Sequence, residues 1–332
     1  MSHRFRPLSR RLLVALFGAA SVAPSLSQAQ DKLVFKAADV HPPGYPTVVA
    51  VENMGHKLAA QTNGRITFQM FPNSVLGGEK EMIEQTQVGA IQIARISLGP
   101  LGPVVPDVNV FNMPFVFRDV KHMRAVIDGP VGQELLDKVS ASPARLIGLA
   151  WMDGGSRSLI TKRPVRKPED LKGQKIRVIG NPVFVDMMNA MGGNGISMGY
   201  NEVFTALQTG VIDGCENNAP SYYTQNYAKA GAKSFTLTHH LIVPEILVMS
   251  KVTWDKLSAA DQAAVKKAAR EAQFEQRDLW DKAVADYSAK LKADGVEFIE
   301  IDNKPFYDAT VPVRAKYGAQ FTDLMKRIAD VK

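Results

Sequence analysis

The chain of 332 residues carries 40 lysines and arginines against 33 acids, a formal charge of +7, with 45% apolar residues and one cysteine, Cys215. That length supplies more than one core at roughly 100–200 residues per domain, and a single cysteine excludes an internal disulfide. With no basic run and no nucleic-acid motif, the positive charge does not point to DNA or RNA.

Residues 1–29 read as an export signal. Arg4, Arg6, Arg10 and Arg11 precede an apolar run from Leu12 to Ala23, and Ser27, Gln28 and Ala29 offer small residues at a cleavage site. Ser9-Arg10-Arg11 before Leu12-Leu13 is also weakly like a twin-arginine signal, which leaves the route open. The run is shorter than the roughly 20 residues that cross a bilayer. Cleavage after Ala29 would remove four arginines and no acid, taking the formal charge from +7 to +3.

Leu33 to Ala38 alternates like a strand and ends in Asp39-Val40-His41-Pro42-Pro43-Gly44, whose prolines and glycine forbid continuation. His41 is thereby either an exposed loop histidine or a group at a strand's carboxyl end facing a ligand. A helix is expected over Asn53–Asn63, a strand over Ile66–Phe71, and a helix opening at Glu79 after Gly77-Gly78. Glu79 in a first helical turn is favoured by the helix dipole whatever else it does. The strand Ala90–Ala94 delivers Arg95, an ionisable residue leaving an apolar run, where burial without a partner would be costly. Asp107 is one acid that could pair with it.

Leu146 to Trp151 reads as a buried strand, and Gly154-Gly155 marks a change of lobe before the strand Ser156–Ile160 that carries Arg157. In Lys175–Ile179, Ile176 and Val178 face a core and Arg177 the other way. Pro182 opens a helix that Gly192, Gly193 and Gly195 break, and a second helix over Asn201–Thr209 ends at Gly210. Val211 and Ile212 start a strand that brings Glu216, Asn217 and Asn218 to its carboxyl end, where open α/β sheets bind ligands. One of the two asparagines suits a cap for the helix begun by Ala219-Pro220. Tyr222 and Tyr223 suit helix packing or the face of a sugar ring. Cys215 reads as a small buried residue.

The order helix, Gln-x-Gly, strand occurs at Gln87–Ala94 and again at Gln208–Ile212, one copy in each half. GQKIRV followed by ALQTGVIDGCEN resembles the extracytoplasmic, DctP-type solute receptors of tripartite ATP-independent periplasmic (TRAP) transporters. The resemblance implies an α/β, two-lobed periplasmic binding protein fold. In that family the strand arginine grips an organic acid's carboxylate and the asparagine after Gly-x-Glu helps hold it; the matching residues are Arg177 and Asn217. Arg95 and the run GPLGPVVPDVNVFNMPFVF after it are similar to members that bind sugar acids, and an arginine at the place of Arg157 commonly lies near the ligand or supports the main one. Glu79, His41 and His240 are further candidate contacts for sugar hydroxyls.

A strand over Ser234–Leu237 precedes His239-His240, which lack acids at metal-ligand spacing, so no metal is expected and no cofactor is implied. Ile242 to Ser250 reads as an apolar strand crossing back to the first lobe. Asp261–Asp294 contains neither glycine nor proline, and at about 1.5 Å per residue such a helix is roughly 50 Å long, enough to bridge both lobes. The expected organisation is residues 30–153 plus 243–282 for lobe I and 154–242 plus 283–332 for lobe II. The expectation is a monomeric, non-enzymatic periplasmic receptor that closes on an organic acid, a uronate such as glucuronate or galacturonate, and delivers it to TRAP membrane permease subunits. A C4-dicarboxylate or keto acid is the alternative ligand. A secreted α/β enzyme is the rival class, against which stands the absence of a Gly-x-Ser-x-Gly elbow, a P-loop and a His-Glu-x-x-His motif.

Overall fold

The structure is a computed structural model that describes residues 1–3 and 32–332. Almost all of the expected export signal at residues 1–29 lies outside the described residues. No described helix is long and apolar enough to cross a membrane.

Two sheets organise the chain. The first has the order β2-β1-β3-β10-β4, built from β1 (Leu33–Ala38), β2 (Ile66–Phe71), β3 (Ile93–Ser97), β4 (Leu146–Met152) and β10 (Glu245–Ser250). The second has the order β11-β9-β5-β8-β6-β7, from β5 (Ser156–Thr161), β6 (Lys175–Val178), β7 (Asn194–Ser197), β8 (Gly214–Asn217), β9 (Ser234–Ile242) and β11 (Glu297–Ile299). In the first sheet β1 runs parallel to β2 and β3, while β10 is antiparallel to both β3 and β4. In the second, β6 runs parallel to β7 and β8, and β5 is antiparallel to β8 and β9. Strand β10 reaches the first sheet after β5–β9 have built the second, as the apolar Ile242–Ser250 run predicts.

Several boundaries differ from the sequence expectation, each for a local reason. The first helix begins at Pro46 rather than Asn53, because proline at a first helical position loses no hydrogen bond. Strand β3 is Ile93–Ser97, not Ala90–Ala94: Gly89 turns at φ +82°, and the Ala90 and Ile91 amides close on Gln85. Arg95 therefore lies in mid-strand. Strand β8 starts at Gly214, since Gly210 turns at φ +78° and the Ile212 amide bonds back to Ala206. The glycine-rich 192–199 run, read as a break, contains β7, which pairs with β6. Strand β9 extends through His239 and His240 to Ile242, and β10 begins only after Pro244, which has no amide to donate.

The long helix covers Ala259–Ala293, 35 residues and so about 52 Å. Ser258 caps it by accepting from the Asp261 amide at 3.1 Å. Its first half packs Val265, Ala268, Ala269 and Ala272 into the core under the first sheet, where Glu275 meets Asn53 at 2.5 Å and Lys57 at 2.7 Å. Its second half serves the other sheet: Leu291 joins that core, and Tyr287 stacks on Tyr223 with ring centres 4.9 Å apart. Between these, Gln276 holds the crossing chain by accepting from the Asp153 amide at 2.9 Å and donating to the Asp153 carbonyl at 3.0 Å. The helix thus braces both sheets at the point where the chain passes from one to the other. That crossing is tight. Gly155 sits at φ +70°, and a Cβ on it would lie 2.6 Å from the Trp280 ring.

Candidate functional site

The carboxyl ends of β1, β3, β6 and β8 converge between the sheets. From the first sheet come His41, Glu79, Arg95, Ser97 and Glu245; from the second come Arg157, Arg177, Tyr200, Asn217, Asn218 and Ser221. They enclose a cavity of about 20 Å³, room for roughly one water. It shares Glu79, Arg177, Ile179 and Tyr200 with an adjacent outer groove of about 860 Å³, lined by the helix Glu79–Gln87 and the 197–202 loop. The groove is the larger space, yet the inner cavity holds the convergent polar groups that fix a ligand's orientation.

Arg177 on β6 is 2% exposed, so although it points away from Ile176 and Val178 it is not a solvated surface residue. Its Nε donates to the Met198 carbonyl at 2.9 Å. Among the described residues no carboxylate lies within ion-pairing distance of it, and its two Nη groups make no hydrogen bond to protein. Burying a guanidinium is costly unless its charge is matched. The planar fork it presents to the cavity fits a carboxylate through two parallel bonds.

The other two arginines are already satisfied. Arg157 lies against Glu216, with Nε to Oε2 at 2.5 Å and Nη2 to Oε1 at 3.0 Å, and Nη1 donates to Asn217 Oδ1 at 3.0 Å. Arg95, 1% exposed, bonds Asp39 through Nε at 3.0 Å and again through Nη2. Its Nη1 reaches Glu79 at 2.7 Å and Glu245 at 2.5 Å. Asp107, the acid proposed for Arg95 from sequence, pairs instead with Lys138 at 2.9 Å.

Asn217 and Asn218 divide their work. Asn218 Oδ1 accepts from the Ser221 amide at 2.8 Å, capping the helix Ala219–Thr224, and Nδ2 donates to the Gly154 carbonyl at 2.9 Å. Asn217 Oδ1 accepts from Arg157 and from the Asn218 amide, leaving Nδ2 without a partner among the described residues. That amide is the donor the site still offers beside Arg177.

His41 stacks on Tyr45 with ring centres 3.8 Å apart, and its Nδ1 is 2.9 Å from Asp39 Oδ1. Its Nε2 has no partner among the described residues. Burial would raise the Asp39 carboxyl, but Arg95 and His41 overcome this and hold it well below the usual carboxylate range. Glu79 Oε1 accepts from Arg95 and from the Ser97 amide at 2.8 Å, while Oε2 has no partner among the described residues. Burial pushes the Glu245 carboxyl up despite Arg95. Burial likewise raises Glu216, yet Arg157 and His240 reverse the shift and hold it at about 2.

Six of the seven candidates from sequence, His41, Glu79, Arg95, Arg157, Arg177 and Asn217, line one cavity. His240 does not. It lies fully buried on β9 behind Glu216, Nε2 to Oε2 3.8 Å, with Nδ1 2.7 Å from Thr238 Oγ1. Tyr222 donates to the Ala232 carbonyl at 2.5 Å and Tyr223 stacks on Tyr287, so neither faces the cavity. Cys215 is buried, and burial pushes its thiol up to about 12. Sequence reasoning missed Asp39, Tyr200 and Glu245. The acid two residues before His41, and the one acid opening the apolar 245–250 strand, were the available signals for two of them. Tyr200 has a buried hydroxyl with no hydrogen-bond partner among the described residues.

The DctP signature of bacterial extracellular solute-binding proteins, family 7, matches residues 37–320. The chain belongs to this family. A TRAP periplasmic solute binding protein from Pseudomonas putida F1, solved with bound D-glucuronate, is 64% identical over 90% of this chain and 98% of its own, with a TM-score of 0.89. A second TRAP periplasmic solute binding protein, from Citrobacter koseri with bound D-glucuronate, is 54% identical over 90% of this chain and 99% of its own, again at 0.89. The same Citrobacter protein in its apo, open structure is 53% identical over 90% and 98% and scores 0.80. Of the two Citrobacter structures, this chain is thus more similar to the one with bound D-glucuronate than to the open one. The family and these neighbours are solute-binding receptors, the class that the paired motifs imply.

Proposed function

We propose that this protein is a periplasmic receptor that closes on a hexuronate, D-glucuronate or D-galacturonate, and hands it to the membrane permease of a TRAP transporter. The observation that carries the reading is the Arg177 fork, buried and without a carboxylate partner among the described residues. A ligand carboxylate supplies the missing charge. Asn217 Nδ2 donates beside it, and Arg157, fixed by Glu216, orients Asn217. At the opposite wall Glu79 and Glu245 accept from ring hydroxyls and His41 Nε2 makes a further polar contact, with Arg95 holding the acids in place. The bound uronates of two relatives at 64% and 54% identity support the same ligand class.

Closure follows from the architecture. Lobe I, residues 30–153 plus 243–282, and lobe II, residues 154–242 plus 283–332, part about the Gly154-Gly155 and Val243-Pro244 crossings to admit the ligand. They then close to desolvate the Arg177 pair. The long helix is the brace that returns them to one arrangement.

The test is isothermal titration of purified protein with D-glucuronate, D-galacturonate and succinate, followed by recovery of the ligand after long incubation. Binding of a hexuronate with the sugar recovered unchanged is the expected result. Affinity for succinate with none for either hexuronate would overturn it.

A further inference from the structure

We infer that the cavity admits sugar acids bearing one carboxylate and rejects their diacid counterparts, with Glu79 and Glu245 as the residues that set this rule. The inference rests on the hexuronate reading and adds a charge criterion to it.

Donors and charges at the cavity are unequal to a second carboxylate. Arg95 has its N–H groups directed at Asp39, Glu79, Glu245 and His41. Arg157 places four donor contacts on Glu216 and Asn217. Arg177 alone of the three keeps both Nη groups for a ligand. Three arginines thus face four acids, Asp39, Glu79, Glu216 and Glu245, before any ligand enters.

The excess lies on the first-sheet wall. Glu79 Oε2 has no partner, and Glu245 Oε2 has no hydrogen bond of good geometry although it lies 2.5 Å from Arg95 Nη1. Such oxygens accept from hydroxyls and repel anions. A sugar acid seated with its carboxylate on Arg177 turns its far end to this wall. A hydroxyl there donates to these oxygens, whereas a carboxylate meets like charge. Selectivity of this kind comes from a repulsive element rather than an extra attraction.

D-Gluconate and D-glucarate test the rule directly, since they share an open six-carbon chain and differ by one carboxylate. Competition titrations against D-glucuronate should show D-glucarate binding roughly 100-fold weaker than D-gluconate, the size expected of one like charge a few ångströms away. Glu79→Gln and Glu245→Gln, which keep an acceptor and remove a charge, should each narrow that gap about fivefold or more. D-Glucarate within threefold of D-gluconate, with D-glucuronate bound, would overturn the charge rule and leave the hexuronate reading standing. D-Glucarate bound with neither hexuronate bound would overturn both. A gap unchanged in both variants would remove Glu79 and Glu245 as its source.

Discussion

Arg157 and Glu216 lie side by side on adjacent antiparallel strands, Nε to Oε2 at 2.5 Å, and both are buried. The pair is a platform: it spends its charge internally, beside Asn217 and Arg177 at the cavity. Glu216→Ala would strand the Arg157 charge in the interior, and such losses run to about 3–5 kcal/mol. Chemical denaturation should register that loss, and Arg157→Ala should cost a similar amount.

The same pair predicts an acid limit. Glu216 is held at about 2 in the folded chain against an ordinary value of 4.5. A depressed carboxyl contributes stability that is fully present above 4.5 and is lost as pH falls through about 2. Melting temperatures recorded from neutral pH down to this range should fall, and Glu216→Gln should show a flatter profile across it.

Arg177→Ala should weaken binding of a hexuronate without unfolding the protein, because no acid is left unpaired when it goes. Charge-assisted bonds contribute roughly 1.5–3 kcal/mol each, so losing two costs about 3–6 kcal/mol, hundreds-fold or more in affinity. Arg177→Lys keeps the charge but not the fork and should recover only part of the loss. Titration of both variants, with circular dichroism to check the fold, measures this.

Neighbouring asparagines should fail differently. Asn218→Ala removes a helix cap and the link to Gly154, and should lower stability by about 1 kcal/mol or more. Asn217→Ala should lower affinity more than stability. If Asn217→Ala destabilised as Asn218→Ala does and bound normally, the division of roles would be wrong.

Gly155→Ala tests the crossing. The left-handed backbone and the 2.6 Å approach to Trp280 both oppose a side chain there, so a loss of more than about 1 kcal/mol is expected from thermal melts. Because Trp280 also borders Tyr45 at 5.9 Å, and Tyr45 stacks on His41, the same change should weaken ligand binding.

Much of this protein is legible in its residues. Alternation at Leu33–Ala38 and Ile66–Phe71, the absence of glycine and proline across the long helix, and the repeated Gln-x-Gly turn require few distant contacts to interpret. The boundaries that shifted did so where local signals were double-edged. Pro46 stops a strand and starts a helix with equal ease, and Gly192–Gly199 breaks one helix while leaving room for β7 between.

The sequence by itself determined the class of fold, the family and the residues able to grip an acid, because periodicity, proline and glycine placement and the GQKIRV and GVIDGCEN motifs are local properties. It did not determine which arginine would be free. Arg95, Arg157 and Arg177 each leave or lie in an apolar strand and look alike as residues. Tertiary structure alone decided their roles: folding brings Asp39, Glu79 and Glu245 onto Arg95, and Glu216 onto Arg157, from segments up to 150 positions apart. A buried charge must be matched by whatever the fold places beside it, and of these three arginines Arg177 is the one with no acid beside it among the described residues.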